Sequence, residues 1–263
     1  MKAPHIRPPD HMLERWRTKL AQSYVVWRLY HFLVADAVAI QKATKYRFIY
    51  EFLAGDLGKA ADVGCGAGVF TRYLCSHAKR VWAVDINVAS LRRTKARHRA
   101  RKNLECVVTE VACLPFPNGH FDTLLFLEVL EHLWDDAAAL RELCRVLAPG
   151  GKIVLSVPVP PGEVNEDPRG HKREGYQLHE LVGLLESTGF KVQKHRFAEF
   201  KFSRLGARLV RDWRGRLPIP APIFLSWVGY LDYLLDSERR EKGDFLPATV
   251  VVLATKQCES GGC

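Results

Sequence analysis

The sequence predicts an α/β protein with a Rossmann-like, doubly wound sheet of seven strands that is mostly parallel and has an antiparallel last strand. The first observation is the alternation of short apolar runs with helical patterns after residue 58, which is typical of a parallel sheet covered by helices on both faces. The second is that the first apolar run, 59–63, leads directly into a glycine-rich loop. The third is the β-branched run 248–254, which can pair with the alternating run 191–197 and close the sheet with a hairpin-like pair of strands.

The elements follow one another in a regular order along the chain. The segment 13–53 contains no glycine or proline, and its many aromatic side chains and its length fit two or three helices. Strands are then predicted at 59–63, 80–85, 105–108, 122–127, 152–157, 191–197 and 248–254. Helices are predicted from about residue 68, over 88–101, from a cap at Asp135 or Asp136 up to Pro149, and from Leu178 up to Gly189.

These patterns predict five segments. They are an N-terminal arm with cap helices (1–57), the core (58–198), a helical insertion or lid rich in arginine and proline (199–246), the last core strand (247–256) and a flexible tail (257–263). A chain of 263 residues is long enough to bury one sizeable core with such additions.

Composition and charge indicate the cellular compartment of the protein and the kind of surface that it contacts. No apolar run reaches the roughly 20 residues of a membrane span, and the first residues lack a signal-peptide pattern. Seven scattered cysteines, an odd number, indicate reduced core residues rather than a disulfide framework. These features predict a cytoplasmic protein. The net charge of +10 predicts contact with an anionic membrane surface, a nucleic acid or an acidic substrate.

Much of the positive charge lies in the segment 92–102, which holds seven Lys or Arg residues among its eleven. One interpretation is a solvated helix face, and the other is a surface for phosphate or lipid headgroups. No aromatic side chains are interleaved with the basic ones, which disfavours stacking on nucleic acid bases.

The glycine-rich loop, 64–68, is the strongest indication of a binding site. Its three glycines remove three Cβ atoms from one tight turn, so the backbone can lie against a nucleotide-like ligand. The spacing D-x-G-x-G-x-G differs from the G-x-G-x-x-G of dinucleotide-binding folds. Asp85 ends the second strand, 21 residues after Gly64, where its carboxylate can accept hydrogen bonds from both hydroxyls of a ribose. Taken alone, the loop could also be a plain strand-to-helix turn.

Five motifs together resemble the class I S-adenosylmethionine (SAM) methyltransferases, and specifically the methyltransferase type 11 branch that includes the quinone-biosynthesis enzymes. They are D-x-G-C-G-x-G from Asp62, the Asp that ends the second strand, L-P-F-P-x-x-x-F-D from Leu114, E-V-L-E-H-L from Glu128 and R-V-L-x-P-G-G-K-I-V-L-S-V-P from Arg145. The resemblance covers roughly residues 58–192, and it implies a SAM-binding methyltransferase core.

The resemblance implies SAM as the cofactor, with S-adenosylhomocysteine as the product. It implies cofactor-binding roles for ten residues, which are Asp62, Gly64, Cys65, Gly66, Gly68, Asp85, Ile86, Glu110, Val111 and Leu127. The glycine-rich loop would line the methionine portion, Asp85 would hold the ribose and Ile86 would flank the adenine. Where relatives place an Asp and a small residue at the adenine, this chain has Glu110 and Val111, and the longer side chain reaches one methylene farther. Leu127 would lie near the sulfonium.

Catalysis by such an enzyme consists chiefly of placing a nucleophile in line with the methyl group, with a base only where a proton must be lost. The candidate bases are His132, His171 and Tyr176, the last two from a G-H-x-R-x-x-Y segment that borders the acceptor pocket in many relatives. The pattern E-x-x-E-H, 128–132, binds a divalent cation in some relatives, but no metal is predicted for this chain.

The resemblance and the flanking segments together predict a methyltransferase that acts on a small or lipid-linked, hydrophobic acceptor. Oxygen is favoured over carbon or nitrogen as the methylated atom. The N-terminal helices and the insertion would form the acceptor lid, at the surface of an anionic membrane. The alternatives are an RNA methyltransferase that uses the basic helix, for which no RNA-binding module is visible, and a SAM-binding protein without catalysis. Neither the acceptor's identity nor the oligomeric state is predicted.

Overall fold

The computed structural model of the protein describes residues 43–160, 172–198 and 249–257. The predicted helices before residue 43, the insertion 199–246 and the tail residues 258–263 lie outside the described residues, as does His171.

Seven strands form one sheet. They are β1 (Lys59–Val63), β2 (Arg80–Asp85), β3 (Leu104–Val108), β4 (Phe121–Leu127), β5 (Leu147–Pro158), β6 (Phe190–Ala198) and β7 (Thr249–Lys256). Their order in the sheet is β3-β2-β1-β4-β5-β7-β6. Neighbouring strands from β3 to β5 run parallel, whereas β7 lies antiparallel between β5 and β6. The prediction of a mostly parallel seven-stranded sheet with an antiparallel last strand is therefore confirmed.

Five described helices accompany the sheet. They are α1 (Ala43–Phe52), α2 (Thr71–His77), α3 (Val88–Arg97), α4 (Asp136–Val146) and α5 (Leu178–Ser187), and a 3-10 turn spans Leu130–His132. The predicted cap of α4 is present, since the Asp135 side chain accepts a hydrogen bond from the Ala138 N–H at 2.7 Å. No helix in the described ranges is long and apolar enough to cross a membrane.

Both faces of the sheet are buried, which explains why its central strands are rich in apolar residues. Alternate residues of a strand point to opposite faces, so Leu124 and Phe126 pack with Leu140 of α4 on one side. Leu125 points to the other side, where it packs in one cluster with Phe48 of α1. Helix α1 thus packs on the sheet itself, while the predicted division of the chain into five segments stays a prediction.

One boundary differs from the sequence-based expectation. Strand β5 begins at Leu147, whereas its start was expected at Lys152, and the Pro-Gly-Gly segment 149–151 lies inside the strand rather than ending α4. Leu147 pairs with Phe121, and the register shifts between Phe121 and Thr123. Pro and Gly are rare inside regular strands, so sequence patterns assign the segment 149–151 to a turn. The shift in register lets this segment lie within β5 instead.

Candidate active site

A cavity of about 500 Å³ opens at the carboxyl ends of the parallel strands. It lies next to β1 and β4, which are neighbours in the sheet. Strands β2 and β3 lie on one side of β1, and the chain then crosses to the other side with β4, so this is the topological switch point of the sheet. Ligand sites of open α/β sheets occur at such a point. The lining is formed by Val63, Gly64, Val84, Asp85, Ile86, Thr109, Glu110, Val111, Ala112, Glu128, Val129, His132, Leu133, Trp134, Asp135 and Ala139. Six of the predicted site residues are among them, namely Gly64, Asp85, Ile86, Glu110, Val111 and His132.

The glycine-rich loop starts at Gly64, whose φ is +71°. A Cβ atom at this position would overlap the side chain of Val129, which follows β4. The N–H groups of Gly64 and Cys65 both donate to the Val84 carbonyl, at 2.8 and 3.1 Å. Glycine is thus required here both by the left-handed backbone and by the close approach of the neighbouring strand end.

Asp85 joins the loop to the start of α3. Its Oδ2 accepts a hydrogen bond from the Gly66 N–H at 2.8 Å, and its Oδ1 accepts one from the Asn87 N–H at 2.8 Å. A carboxylate has about four lone-pair sites, so these two bonds leave acceptor capacity for two ligand hydroxyls. The structure therefore places a fixed, ionisable acceptor in the cavity wall.

Helix α3 holds the back of the loop through three side chains. Thr94 Oγ1 donates to the Gly66 carbonyl at 3.0 Å, and Arg97 Nη1 donates to the carbonyl of residue 67 at 2.8 Å. His98 Nε2 lies 2.8 Å from the Gly68 carbonyl, so this nitrogen carries a proton. Burial lowers the pKa of His98, which favours the neutral tautomer in that contact. Part of the basic segment 92–102 therefore supports the loop, a role that neither sequence-based interpretation included.

Asp62 lies beneath the loop and is buried, with 4% of its surface exposed. Its Oδ2 accepts a hydrogen bond from Thr71 Oγ1 at 2.5 Å. Burial, with a smaller contribution from the negative charge of Asp85, raises the pKa of Asp62 from 3.8 to about 6. Asp62, Cys65, Gly66 and Gly68 are not part of the cavity lining, and their predicted contacts with a cofactor stay predictions.

Glu128 and Val129, which follow β4, line the cavity; Leu127 does not, and its predicted position near the sulfonium stays a prediction. Glu128 has a φ of +55°, the left-handed region that a Glu rarely adopts. Its Oε1 lies 2.7 Å from the Nζ of Lys45 and accepts a hydrogen bond from Ser156 Oγ at 2.9 Å. The Lys45 side chain is 4% exposed and that of Glu128 is 37% exposed.

Sequence reasoning connected Glu128 only with a possible metal and did not identify Lys45. The E-x-x-E-H pattern was the available signal for Glu128, but a lysine more than eighty residues away carried none. In the described part of the chain, no group of three or more His, Cys, Asp or Glu side chains has the geometry of a metal site.

The three candidate bases have different surroundings. His132 is exposed and lines the cavity. Tyr176 is buried, and its hydroxyl donates to Asp136 Oδ2 at 2.9 Å. Burial and that carboxylate raise the pKa of Tyr176, which disfavours the phenolate that a base would need. The structure does not bring Tyr176 into the cavity lining, and His171 lies outside the described residues.

The outer rim of the cavity is apolar and aromatic. Ile86 is 63% exposed and Trp134 is 79% exposed, and both belong to the lining. The Nζ of Lys172 lies 4.5 Å from the centroid of the Trp134 ring, a cation–π contact. Large exposed apolar side chains at a cavity mouth indicate a ligand or partner surface.

Residues 61–155 match the family model described as a methyltransferase domain. A protein of Mycolicibacterium smegmatis, named a probable S-adenosylmethionine-dependent methyltransferase, is 33% identical over 136 residues, 50% of this chain and 51% of that protein. The malonyl-[acyl-carrier protein] O-methyltransferase of Halorhodospira halophila is 31% identical over 143 residues, 54% of this chain and 43% of the relative. The ubiquinone/menaquinone biosynthesis C-methyltransferase UbiE of Shewanella oneidensis is 38% identical over 103 residues, 37% and 41% of the two chains. The chain thus spans about half the length of the curated relatives that it matches.

Solved structures share the fold at low sequence identity. The [4+2]-cyclase SpnF superposes with a TM-score of 0.59 at 18% identity, over 95% of this chain and 97% of that one. This likeness concerns the fold alone, and it includes a protein named for a reaction other than methyl transfer.

Proposed function

We propose that the protein is a class I SAM-dependent methyltransferase, which transfers a methyl group from SAM to an acceptor bound in the cavity; the match of residues 61–155 to a methyltransferase domain supports this. The observation that carries the proposal is the convergence of Gly64, Asp85, Ile86, Glu110 and Val111 on one cavity at the switch point of the sheet. Its volume of about 500 Å³ lies within the range of sites for cofactors and drug-sized ligands.

The cavity residues fit SAM in an order that follows the strands. Asp85 at the end of β2 would accept hydrogen bonds from the ribose hydroxyls, through the lone pairs that Gly66 and Asn87 leave free. Glu110 and Val111, beyond β3, would hold the adenine, with Ile86 against its face. The loop at the end of β1 would then receive the methionine portion.

When bound, SAM supplies a methyl group that is already activated by the positive charge on sulfur. The residues of this chain therefore have to orient the acceptor and exclude water, and a base assists where the acceptor must lose a proton. Among the predicted bases that the structure describes, His132 alone lines the cavity, and we assign it this role.

We further propose a hydrophobic acceptor, small or lipid-linked, with oxygen as the methylated atom. The apolar rim formed by Ile86, Leu133 and Trp134 supports the hydrophobic character. The O-methyltransferase named among the relatives supports oxygen, although the C-methyltransferase shows that matching domains act on different atoms. The net charge of +10 supports peripheral contact with anionic membranes from the cytoplasm, with the segments 1–57 and 199–246 acting as cap and lid.

Binding is tested by titration calorimetry of the full-length protein with SAM. The wild type should bind, and Asp85→Ala should weaken binding by about 10- to 100-fold, because two hydrogen bonds to a charged group are lost. Glu186→Ala, which removes an exposed carboxylate outside the cavity lining, is the matched control and should leave the affinity unchanged. Undiminished affinity of Asp85→Ala would contradict the ribose assignment.

Activity is tested by incubating the protein with cell extract and SAM labelled at the methyl group. Label in the lipid or small-molecule fraction supports the proposal, and label in RNA supports the alternative of an RNA methyltransferase. Tight SAM binding without transfer to any fraction would favour a SAM-binding protein without catalysis. The proposed membrane contact is tested by flotation with lipid vesicles. The protein should float with anionic vesicles and should not float with neutral ones.

A further inference from the structure

Four carboxylates line the cavity, and the role of one of them, Glu128, has so far been unassigned. We propose that the Glu128 carboxylate receives the hydrogen bond of the acceptor's nucleophile, an O–H or N–H group, and that Lys45 and Ser156 position it for this task. The inference rests on the proposed function and names the chemical class of acceptor that the site selects.

The order of the strands places Glu128 at the reactive end of the cofactor. Along the edge of the sheet the order is β3, β2, β1 and β4, with Glu110 after β3, Asp85 at the end of β2 and Gly64 after β1. If Glu110 holds the adenine and Asp85 the ribose, the sulfonium would lie toward β1 and β4, since neighbouring strands are about 4.8 Å apart. Glu128 is the first residue after β4 and lines the cavity there.

The carboxylate is held by contacts from two other elements. Lys45, from α1, is buried and lies 2.7 Å from Oε1. Ser156, from β5, donates its hydroxyl to the same oxygen at 2.9 Å, while its carbonyl accepts the Glu128 N–H at 2.9 Å. Among the described residues, Lys45 and Ser156 both contact Oε1 of Glu128, which leaves Oε2 as the oxygen for a ligand.

The backbone of Glu128 supports a functional role. Its φ of +55° is unfavourable for a residue with a long side chain, and such conformations persist where the surrounding structure enforces them. The ion pair with the buried Lys45 and the paired bonds to β5 supply that enforcement. A carboxylate with one oxygen fixed and one oxygen available is a directional acceptor for an O–H or N–H donor.

With Glu128 in this position, each bond and each proton of the methyl transfer is accounted for. The lone pair of the acceptor oxygen or nitrogen forms the new bond to the methyl carbon, and the electron pair of the breaking carbon–sulfur bond remains on sulfur. The proton of the nucleophile passes first to Glu128 Oε2. From there it is released to water, since the side chain is 37% exposed, or to His132, the base assigned above, which lines the same cavity. A carbon nucleophile has no O–H or N–H group that could donate a hydrogen bond to the Glu128 carboxylate.

Sinefungin is a probe that needs no knowledge of the acceptor. In this SAM analogue a carbon bearing an amino group replaces the methylated sulfur, so an ammonium N–H stands where the methyl group and the acceptor meet. S-adenosylhomocysteine has no such group. The ratio of the two dissociation constants therefore reports the contact with Glu128, whereas general damage to the site weakens both ligands together.

Calorimetry with both ligands tests the proposal. The wild type should prefer sinefungin, and Glu128→Gln should reduce this preference by about 10-fold or more, with affinity for S-adenosylhomocysteine changed by less than about 3-fold. Gln retains an oxygen for Lys45 and Ser156 but turns an N–H₂ group toward the ligand, so the fold is preserved. Glu110→Gln, at the predicted adenine end, is the matched control and should change both affinities equally.

The positioning roles of Lys45 and Ser156 are tested by the same ratio of dissociation constants. Lys45→Met and Ser156→Ala should each lower the preference for sinefungin, and Ser156→Ala carries the test if removal of the buried lysine prevents folding. An unchanged preference in Glu128→Gln, or equal weakening of both ligands, would overturn the proposal. Wild-type protein that binds neither ligand would overturn the proposed function as well. In the labelling experiment with a carbon-13 methyl group, an O-methyl or N-methyl product supports the proposal and a C-methyl product contradicts it.

Discussion

The buried Asp62 makes an unusual prediction about stability and pH. Burial raises the pKa of this carboxyl from 3.8 to about 6, so the folded protein binds a proton more tightly than the unfolded chain. The group therefore favours folding at low pH, and this contribution is lost as the pH rises through about 6. Asp62→Asn removes the titrating group while keeping an oxygen that can accept the hydrogen bond from Thr71.

The size of the effect follows from the pKa difference. A change from 3.8 to about 6 is worth about 3 kcal/mol in total, at roughly 1.4 kcal/mol per pKa unit. About 2 kcal/mol of this falls between pH of about 4.5 and about 7.5, the practical range for unfolding experiments. The new amide N–H₂ group lacks an assured partner and adds a cost, but that cost does not depend on pH.

Urea unfolding of both proteins at several pH values measures the difference. The stability of Asp62→Asn relative to the wild type should rise by about 2 kcal/mol from pH of about 4.5 to about 7.5 and stay constant above that. Asp56→Asn is the control, because hydrogen bonding to the Gly58 N–H lowers the pKa of this exposed carboxyl and reverses the sign. A stability difference for Asp62→Asn that is flat across this range would refute the reasoning.

Three further predictions concern the loop and the buried tyrosine. Thr94→Val keeps the side-chain shape but removes the bond to the Gly66 carbonyl, and calorimetry should show SAM binding weakened by about 3- to 10-fold with the fold intact. Gly64→Ala should lower the melting temperature far more than Gly66→Ala, because only the first places its Cβ against the neighbouring valine, although both have positive φ. Equal melting temperatures would contradict the steric argument. Tyr176→Phe should cost about 1 kcal/mol in urea unfolding by losing the bond to Asp136, with methyl transfer retained. Loss of transfer in a stably folded variant would instead restore Tyr176 as a catalytic residue.

The strands and the glycine-rich loop could be predicted because their causes are local. A strand buried on both faces carries a continuous apolar run, as at 124–127 of β4, and this signal is contained in four consecutive residues. The left-handed turns after β1 require glycine, so the loop is visible in the sequence. Asp85 was predictable because it ends a strand at a typical distance from that loop.

The basic segment 92–102 shows where local interpretation fails. Its charge suggested either a solvated face or a contact with phosphate, and the sequence contains nothing that distinguishes Arg97 from its neighbours. In the folded protein, Arg97 and the buried His98 face the glycine-rich loop and donate to its carbonyls. Which residues of a helix face a given loop depends on how the helix rotates against the sheet, and that is a property of packing.

The sequence by itself determined the order of the elements, the doubly wound sheet and the SAM-type loop with its acidic partner, since each depends on short-range patterns of apolar side chains and glycines. The tertiary structure decided which residues meet at the cavity. It left Tyr176 outside the cavity lining, placed Glu128 in that lining, and brought Lys45 from α1 within 2.7 Å of the Glu128 carboxylate. The physical reason is that an ion pair across 83 residues leaves no periodicity or spacing in the chain, and it forms only when the packing of α1 on the sheet brings the two charges together.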